Sequence, residues 1–232
     1  LSRYSYSYPG SMELPVENPF EDFNGTIIVR IEDETSKFNI NSIVSDGGVF
    51  NKNAYMSFQK LLNVLSLDEK IADRVADWID KDSEARLPDS EVGAKNSALV
   101  SVDELLLING INRKDYDKLL PYITVFGDRT LPLINVNGAE APVLMSILDT
   151  GKGEFPITED LSKRIIKYRQ NMPFEDLAQF NKFAGTGLSV SQITVKGTNF
   201  YIKSTAASGG VKRIIETVLD TSQAKIRYWK EY

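Results

Sequence analysis

Gly25-Thr26-Ile27-Ile28-Val29-Arg30-Ile31 is the stretch on which the fold turns. It is rich in β-branched residues, and Ile27, Val29 and Ile31 alternate with Ile28 and Arg30, which is the two-residue period of a strand. An acidic turn, Glu32-Asp33-Glu34-Thr35-Ser36, and a short extended stretch, Lys37-Phe38-Asn39-Ile40-Asn41, follow it, and Gly47-Gly48 closes the segment. From Asn51 the period changes to 3.6. Phe58, Leu61, Leu62 and Leu65 mark one helix, and Ser66 with Glu69 reads as a capping box opening a second, whose apolar face is Ile71, Val75, Trp78 and Ile79. Ser101 with Glu104 reads as another box before Leu105, Leu106 and Ile108, with Gly110 as a stop. Short helices are predicted around Tyr116, Leu119 and Leu120, and over residues 141–148, 161–169 and 174–183. The period of two then returns in residues 199–204, 211–220 and 224–229, with a turn at 220–223.

Strand, helices, strands is thus the order of elements. The simplest packing lets the first strand join the last three in one sheet, with the helical block inserted between them. The residues before Gly25, with Tyr4, Tyr6, Tyr8, Pro9, Pro15 and Pro19, keep neither period for long. Leu1 is not an initiator Met, so either the natural N-terminus was processed or the chain starts inside a longer one; Gly10-Ser11-Met12 fits a cloning scar or native sequence equally.

The 232 residues hold 27 basic and 32 acidic side chains and neither Cys nor His. That excludes thiolate and imidazole catalysis, disulfides and Cys-type zinc sites, and leaves carboxylates, which suit hard cations. A formal net charge of −5 argues against non-specific nucleic-acid binding, and no apolar run approaches the ~18 residues of a membrane span. Nothing supplies a nucleophile with its base, a phosphate loop or a cofactor fingerprint, so an enzyme is the poorest reading.

Two clusters carry binding chemistry. The first runs from Asp77 through Asp80, Asp82 and Glu84 to Glu91. Counting Asp80 as position 1 puts Asp82 at 3, Glu84 at 5, a backbone carbonyl at 7 and Glu91 at 12, the ligand spacing of a calcium loop, although position 6 is Ala85 where Gly is usual. A solvated acidic helix-to-loop junction accounts for it equally well. The second is a pair of helix-hairpin-like units, 105–124 and 134–177. The latter looks like the helix-hairpin-helix units of competence and repair DNA-binding proteins, with Gly151-Lys152-Gly153, Lys163, Arg164, Lys167 and Arg169 as the phosphate-facing groups. Simple packing hairpins, with Asn135 and Asn137 bonding loop backbone, are the favoured alternative, because Asp149, Glu154, Glu159 and Asp160 offset the bases.

In order and spacing, Gly25-Thr26-Ile27-Ile28, residues 33–41, Asp77-Trp78-Ile79-Asp80-Lys81-Asp82, Ser101-Val102-Asp103-Glu104-Leu105 and Ile134-Asn135-Val136-Asn137 resemble the general secretion pathway protein K family, the large minor pseudopilins of bacterial type II secretion. The resemblance implies an α+β fold, a pilin-like antiparallel sheet domain with a large all-α domain inserted between its first and later strands. Residues 1–48 would be the N-terminal segment and first part of the sheet, 49–195 the helical insert and 196–232 the closing strands. It further implies a non-enzymatic protein of the pseudopilus tip that joins the I and J minor pseudopilins, with the secretin or an exported substrate as further candidate partners. A hydrophobic N-terminal helix in the inner membrane would precede Leu1, the rest facing the periplasm. Ca²⁺ would be held by Asp80, Asp82, Glu84 and Glu91. The Tyr-containing stretch that follows the acidic loop in the family is absent here, so the number of ions stays open. A helix-hairpin-helix DNA-binding protein of a competence-like system is the alternative.

Overall fold

The computed structural model describes residues 12–16 and 23–232. In chain order its strands and helices are β1 (Met12–Val16), β2 (Gly25–Asp33), β3 (Phe38–Asn39), α1 (Lys52–Val64), α2 (Lys70–Ile79), α3 (Arg113–Leu119), β4 (Ile123–Thr124), β5 (Ile134–Asn135), α4 (Ala141–Met145), α5 (Glu159–Arg169), α6 (Leu177–Ala184), β6 (Ile193–Thr194), β7 (Asn199–Ser208), β8 (Val211–Asp220) and β9 (Lys225–Glu231). The tyrosine-rich stretch at 1–11 lies outside the described residues.

β2 joins the three closing strands in one antiparallel sheet of order β1-β2-β7-β8-β9, so the block between β2 and β7 is an insertion into a sheet made by the two ends of the chain. β1 is an addition to the expected sheet. It includes Pro15, which strands tolerate at a sheet edge, and β1 is an edge strand. Cross-strand register places Leu14, Val29, Ser204 and Ile215 in one row of a face and Ile31, Ile202, Thr217 and Trp229 in another row of the same face. Leu14, Val16, Ile226 and Trp229 on that face are all exposed. The opposite face carries Tyr201, Val218 and Tyr228, and there Val218 is fully buried and Tyr228 meets Phe126 of the insert.

The insert is not all helix. It holds two cores, one built from Phe38 to Val125 and one from Ile134 to Val195, and each contains a two-residue parallel ladder, β3 on β4 and β5 on β6. Ladders this short have no period to read, and each pairs residues far apart in the chain. The first core already takes in Phe38, Ile40, Ile43 and Val44, so the insert draws on residues before 49. Residues 105–124 are not a unit of their own: Leu105, Tyr116 and Leu119 pack with Phe58, Val75 and Trp78 in the first core.

The two cores repeat one hydrogen-bond scheme. In Phe38-Asn39-Ile40-Asn41, Asn39 Oδ1 accepts the Asn41 N–H, and the Asn41 amide donates to the Leu99 and Val125 carbonyls while accepting the Leu99 N–H. In Ile134-Asn135-Val136-Asn137, Asn135 Oδ1 accepts the Asn137 N–H, and the Asn137 amide donates to the Phe174 and Val195 carbonyls while accepting the Phe174 N–H. Ile123-Thr124-Val125 and Ile193-Thr194-Val195 are the matching ends, each with its Thr hydroxyl accepting an N–H two residues on. An arginine secures each loop. Arg129 donates to the Asn41 and Val44 carbonyls, and the buried Arg169 donates to those of Val136 and Gly138.

The capping boxes meet different ends. Ser66 does not open α2; at φ +53° it takes the left-handed place that closes α1, with Leu67 N–H bonded back to the Leu62 carbonyl, and Asp68 accepts the Lys70 N–H instead. Ser101 does cap its segment, a 3-10 helix at Val102–Leu107, by accepting the Asp103 N–H, while Glu104 reaches back to the Val100 N–H.

Candidate metal centre

α2 is amphipathic, and the face that buries Ile71, Val75, Trp78 and Ile79 carries Asp77 in with it. Asp80 ends the helix in an extended conformation, and the chain turns back so that Ser90 and Glu91 return to the helix end. Two buried carboxylates at a helix C-terminus face the negative end of its dipole, an arrangement that calls for a cation.

Asp77 is 0% and Asp80 4% exposed. One carboxylate oxygen each of Asp77, Asp80 and Glu91 lies within 4.8 Å of the others. Opposite ligands of a single Ca²⁺ stand about as far apart, twice a Ca–O distance of ~2.4 Å. Asp77 is pinned from the loop: its Oδ2 accepts the Arg86 backbone N–H at 2.9 Å and the Ser90 hydroxyl. The Arg86 guanidinium donates to Asp77 Oδ1, and to Asp80 Oδ2 at 2.6 Å. Asp80 Oδ1 and Glu91 Oε1 are buried without a hydrogen-bond partner. Burial pushes the Asp80 carboxyl above its ordinary range. It does the same for Glu91, helped by the charges of Asp77, Asp80 and Asp82. Burial works against the Arg86 charge, but its bonds to Asp77 and Asp80 outweigh that and hold its pKa above the ordinary value.

Of the four residues expected from the spacing, Asp80 and Glu91 meet in this cluster. Asp82 and Glu84 are exposed and outside it, with Asp82 Oδ1 taken up by the Glu84 N–H. Asp77 is the member that the position count left out. Its signal was its place on the apolar face of α2, three residues before Asp80.

The backbone of the Gly151-Lys152-Gly153 loop turns its N–H groups onto Asp149 and away from any phosphate. The Gly151 and Lys152 N–H groups both point at Asp149 Oδ1, so a carboxylate of the chain itself fills the place a phosphate would take. Lys163 is paired with Glu159.

Sheet, insert and carboxylate cluster define a discontinuous α+β protein whose insert carries a centre suited to a hard cation. Residues 36–128 match the model of the first domain of type II secretion system (T2SS) protein K. Type II secretion system protein K of Pseudomonas aeruginosa is 28% identical over 232 residues, covering 90% of this chain and 66% of that protein. The Dickeya chrysanthemi protein of the same name is 31% identical over 136 residues, covering 53% and 37%, and that of Aeromonas hydrophila 25% identical, covering 86% and 67%. The chain therefore spans about two thirds or less of the length of these relatives. A chain in the crystal structure of the GspK-GspI-GspJ complex from the enterotoxigenic Escherichia coli type 2 secretion system shares the fold, with TM-score 0.64 and 16% identity over 97% of this chain and 84% of that one. The chain is similar to type II secretion system protein K, the family its motifs resemble. Nothing in these likenesses favours a DNA-binding protein.

Proposed function

We propose that this chain is the large minor pseudopilin of a type II secretion pseudopilus, a non-enzymatic component that assembles with I- and J-type minor pseudopilins to start and tip the pseudopilus and so supports protein export across the outer membrane. The observation that carries this is the fold shared with a chain from a GspK-GspI-GspJ complex, together with the family match. The exposed apolar side chains of Leu14 and Val16 on β1 and of Ile226 and Trp229 on β9, all on one face of the sheet, support a docking role, since exposed apolar surface of this kind marks interaction sites. The sheet would dock the partner pseudopilins and the insert would cap the tip. No helix among the described residues is long and apolar enough to cross a membrane, so attachment to the inner membrane would rest on a segment outside them, with the described residues in the periplasm. Mixing the protein with the soluble domains of I- and J-type partners should give a complex on gel filtration; its absence at micromolar concentrations would count against the assignment.

The second part of the reading is that the insert binds Ca²⁺. The unpartnered Asp80 Oδ1 and Glu91 Oε1 support it, because buried carboxylate oxygens without donors are costly unless a cation meets them. Asp77, Asp80 and Glu91 would hold the ion, with Asp82 and Glu84 as further carboxylates of the same loop; its chemistry there is charge neutralisation and loop cross-linking. Calcium at a hundredfold excess over its Kd should raise Tm by roughly 5–10 °C, as a ligand of the folded state alone does in a domain of this size. Asp80→Asn with Glu91→Gln should remove that shift. A wild-type Tm indifferent to calcium would sink the metal reading without touching the pseudopilin one.

A further inference from the structure

Arg86 occupies the cation position of the cluster from within the chain. Its Nη1 stands between Asp77 Oδ1 and Asp80 Oδ2, the two innermost carboxylates, and nothing comparable reaches Asp80 Oδ1 or Glu91 Oε1. A guanidinium and a divalent ion cannot both sit between one pair of carboxylates, since two cations a few ångströms apart in a buried site repel strongly. The loop is also built to let the guanidinium leave. It is anchored by the Arg86 backbone N–H on Asp77 Oδ2 and by Ser90, which bonds Asp77 and both the N–H and the carbonyl of Leu87. Those bonds do not involve the arginine side chain. That side chain is 27% exposed and lies 5.1 Å from the centre of the Phe50 ring, itself exposed, so it has an open way out to solvent.

We propose that Arg86 is a built-in competitor for the divalent cation: it neutralises Asp77 and Asp80 when no ion is bound and is expelled when one binds. The inference rests on the calcium reading above and adds what that reading does not contain, a residue that opposes binding. Its consequence is a site that fills only above a set calcium concentration and a loop that keeps its fold when empty. The charge count agrees. Three carboxylates are partly neutralised by one guanidinium and more fully by a dication.

The test compares wild type with Arg86→Gln, with calcium alone as the titrant. Binding is followed by calorimetry and by the fluorescence of Trp78, which sits buried between Asp77 and Ile79. The variant should melt lower than wild type without calcium and yet bind calcium roughly ten- to hundredfold more tightly, the scale of a hydrogen-bonded charge pair removed from competition. Arg86→Lys should fall between the two. A merely structural arginine would lower Tm with and without calcium and leave affinity unchanged or weaker, and that result overturns the proposal while the calcium reading stands. If Arg86→Gln does not fold alone, recovery of its fold in calcium supports competition, and failure to fold even then refutes it. No binding by either protein refutes both readings.

Discussion

Asn137→Ala should lower the stability of the protein by on the order of 4 kcal/mol, read as a fall in the urea midpoint. The side chain is 0% exposed and makes three hydrogen bonds, to the Phe174 carbonyl at 2.8 Å, to the Val195 carbonyl at 3.1 Å and from the Phe174 N–H at 2.9 Å. Alanine strands all three backbone groups where water cannot reach them, and a buried group left without a partner costs ~1–3 kcal/mol. Asn137→Asp should be worse, because it turns a carboxylate oxygen toward two carbonyl oxygens. Asn41, 2% exposed and bonded in the same way to Leu99 and Val125, should respond alike. Asn53→Ala, at an exposed place on α1, is the control and should stay within ~0.5 kcal/mol. Equal midpoints for Asn137→Ala and Asn53→Ala would show that these asparagines do not hold the units together.

Asp33→Ala is expected to cost ~3 kcal/mol by the same logic of stranded donors. Asp33 ends β2 and ties the sheet to the turn that follows it and to β5 of the insert. Its Oδ1 accepts the Thr35 N–H at 2.9 Å, and its Oδ2 accepts the Ser36 hydroxyl at 3.0 Å and the Asn135 amide of β5 at 2.6 Å. Gly197 packs so tightly on this carboxylate that a Cβ there would lie 2.5 Å from Oδ2. Burial raises the Asp33 pKa above the ordinary 3.8, against the pull of its hydrogen bonds. A raised carboxyl contributes most below its unfolded pKa and less as pH rises through its folded one. The stability gap between wild type and Asp33→Ala should therefore be widest below pH ~3.8 and narrow toward neutrality. Urea titrations at pH 3.5, 5 and 7 decide it; a gap that widens with pH would mean the bonds to Asn135, Ser36 and Thr35 outweigh burial.

Residues 25–31 announced their strand because a half-buried sheet face imposes a two-residue period on hydrophobicity, and β7 to β9 did so for the same reason. Helices α1, α2 and α5 were legible through their 3.6-residue stripes. β1 was not, since a short edge strand containing Pro15 leaves too little pattern. Ser66 misled because a serine three residues before a glutamate has the same spelling whether it starts one helix or finishes another. The loop spacing named Asp80 and Glu91, whose carboxylates come together, and Asp82, whose Oδ1 accepts the Glu84 N–H outside that cluster, but not Asp77. The repeat of the two units was written in the chain, in Phe38-Asn39-Ile40-Asn41 against Ile134-Asn135-Val136-Asn137 and in Ile123-Thr124-Val125 against Ile193-Thr194-Val195. It passed unseen because the asparagines' partners are distant in sequence.

By itself, then, the sequence determined the order strand, helices, strands, the absence of thiol and imidazole chemistry, and the resemblance to type II secretion protein K, all of which are local in the chain: hydrophobic period, residue type, motif spacing. Only the tertiary structure decided which carboxylates meet, that a guanidinium stands between two of them, and that paired asparagines rather than helix packing alone close each unit. Those facts depend on backbone groups and side chains brought together from distant segments, and the burial that makes each contact matter exists only once the chain has folded.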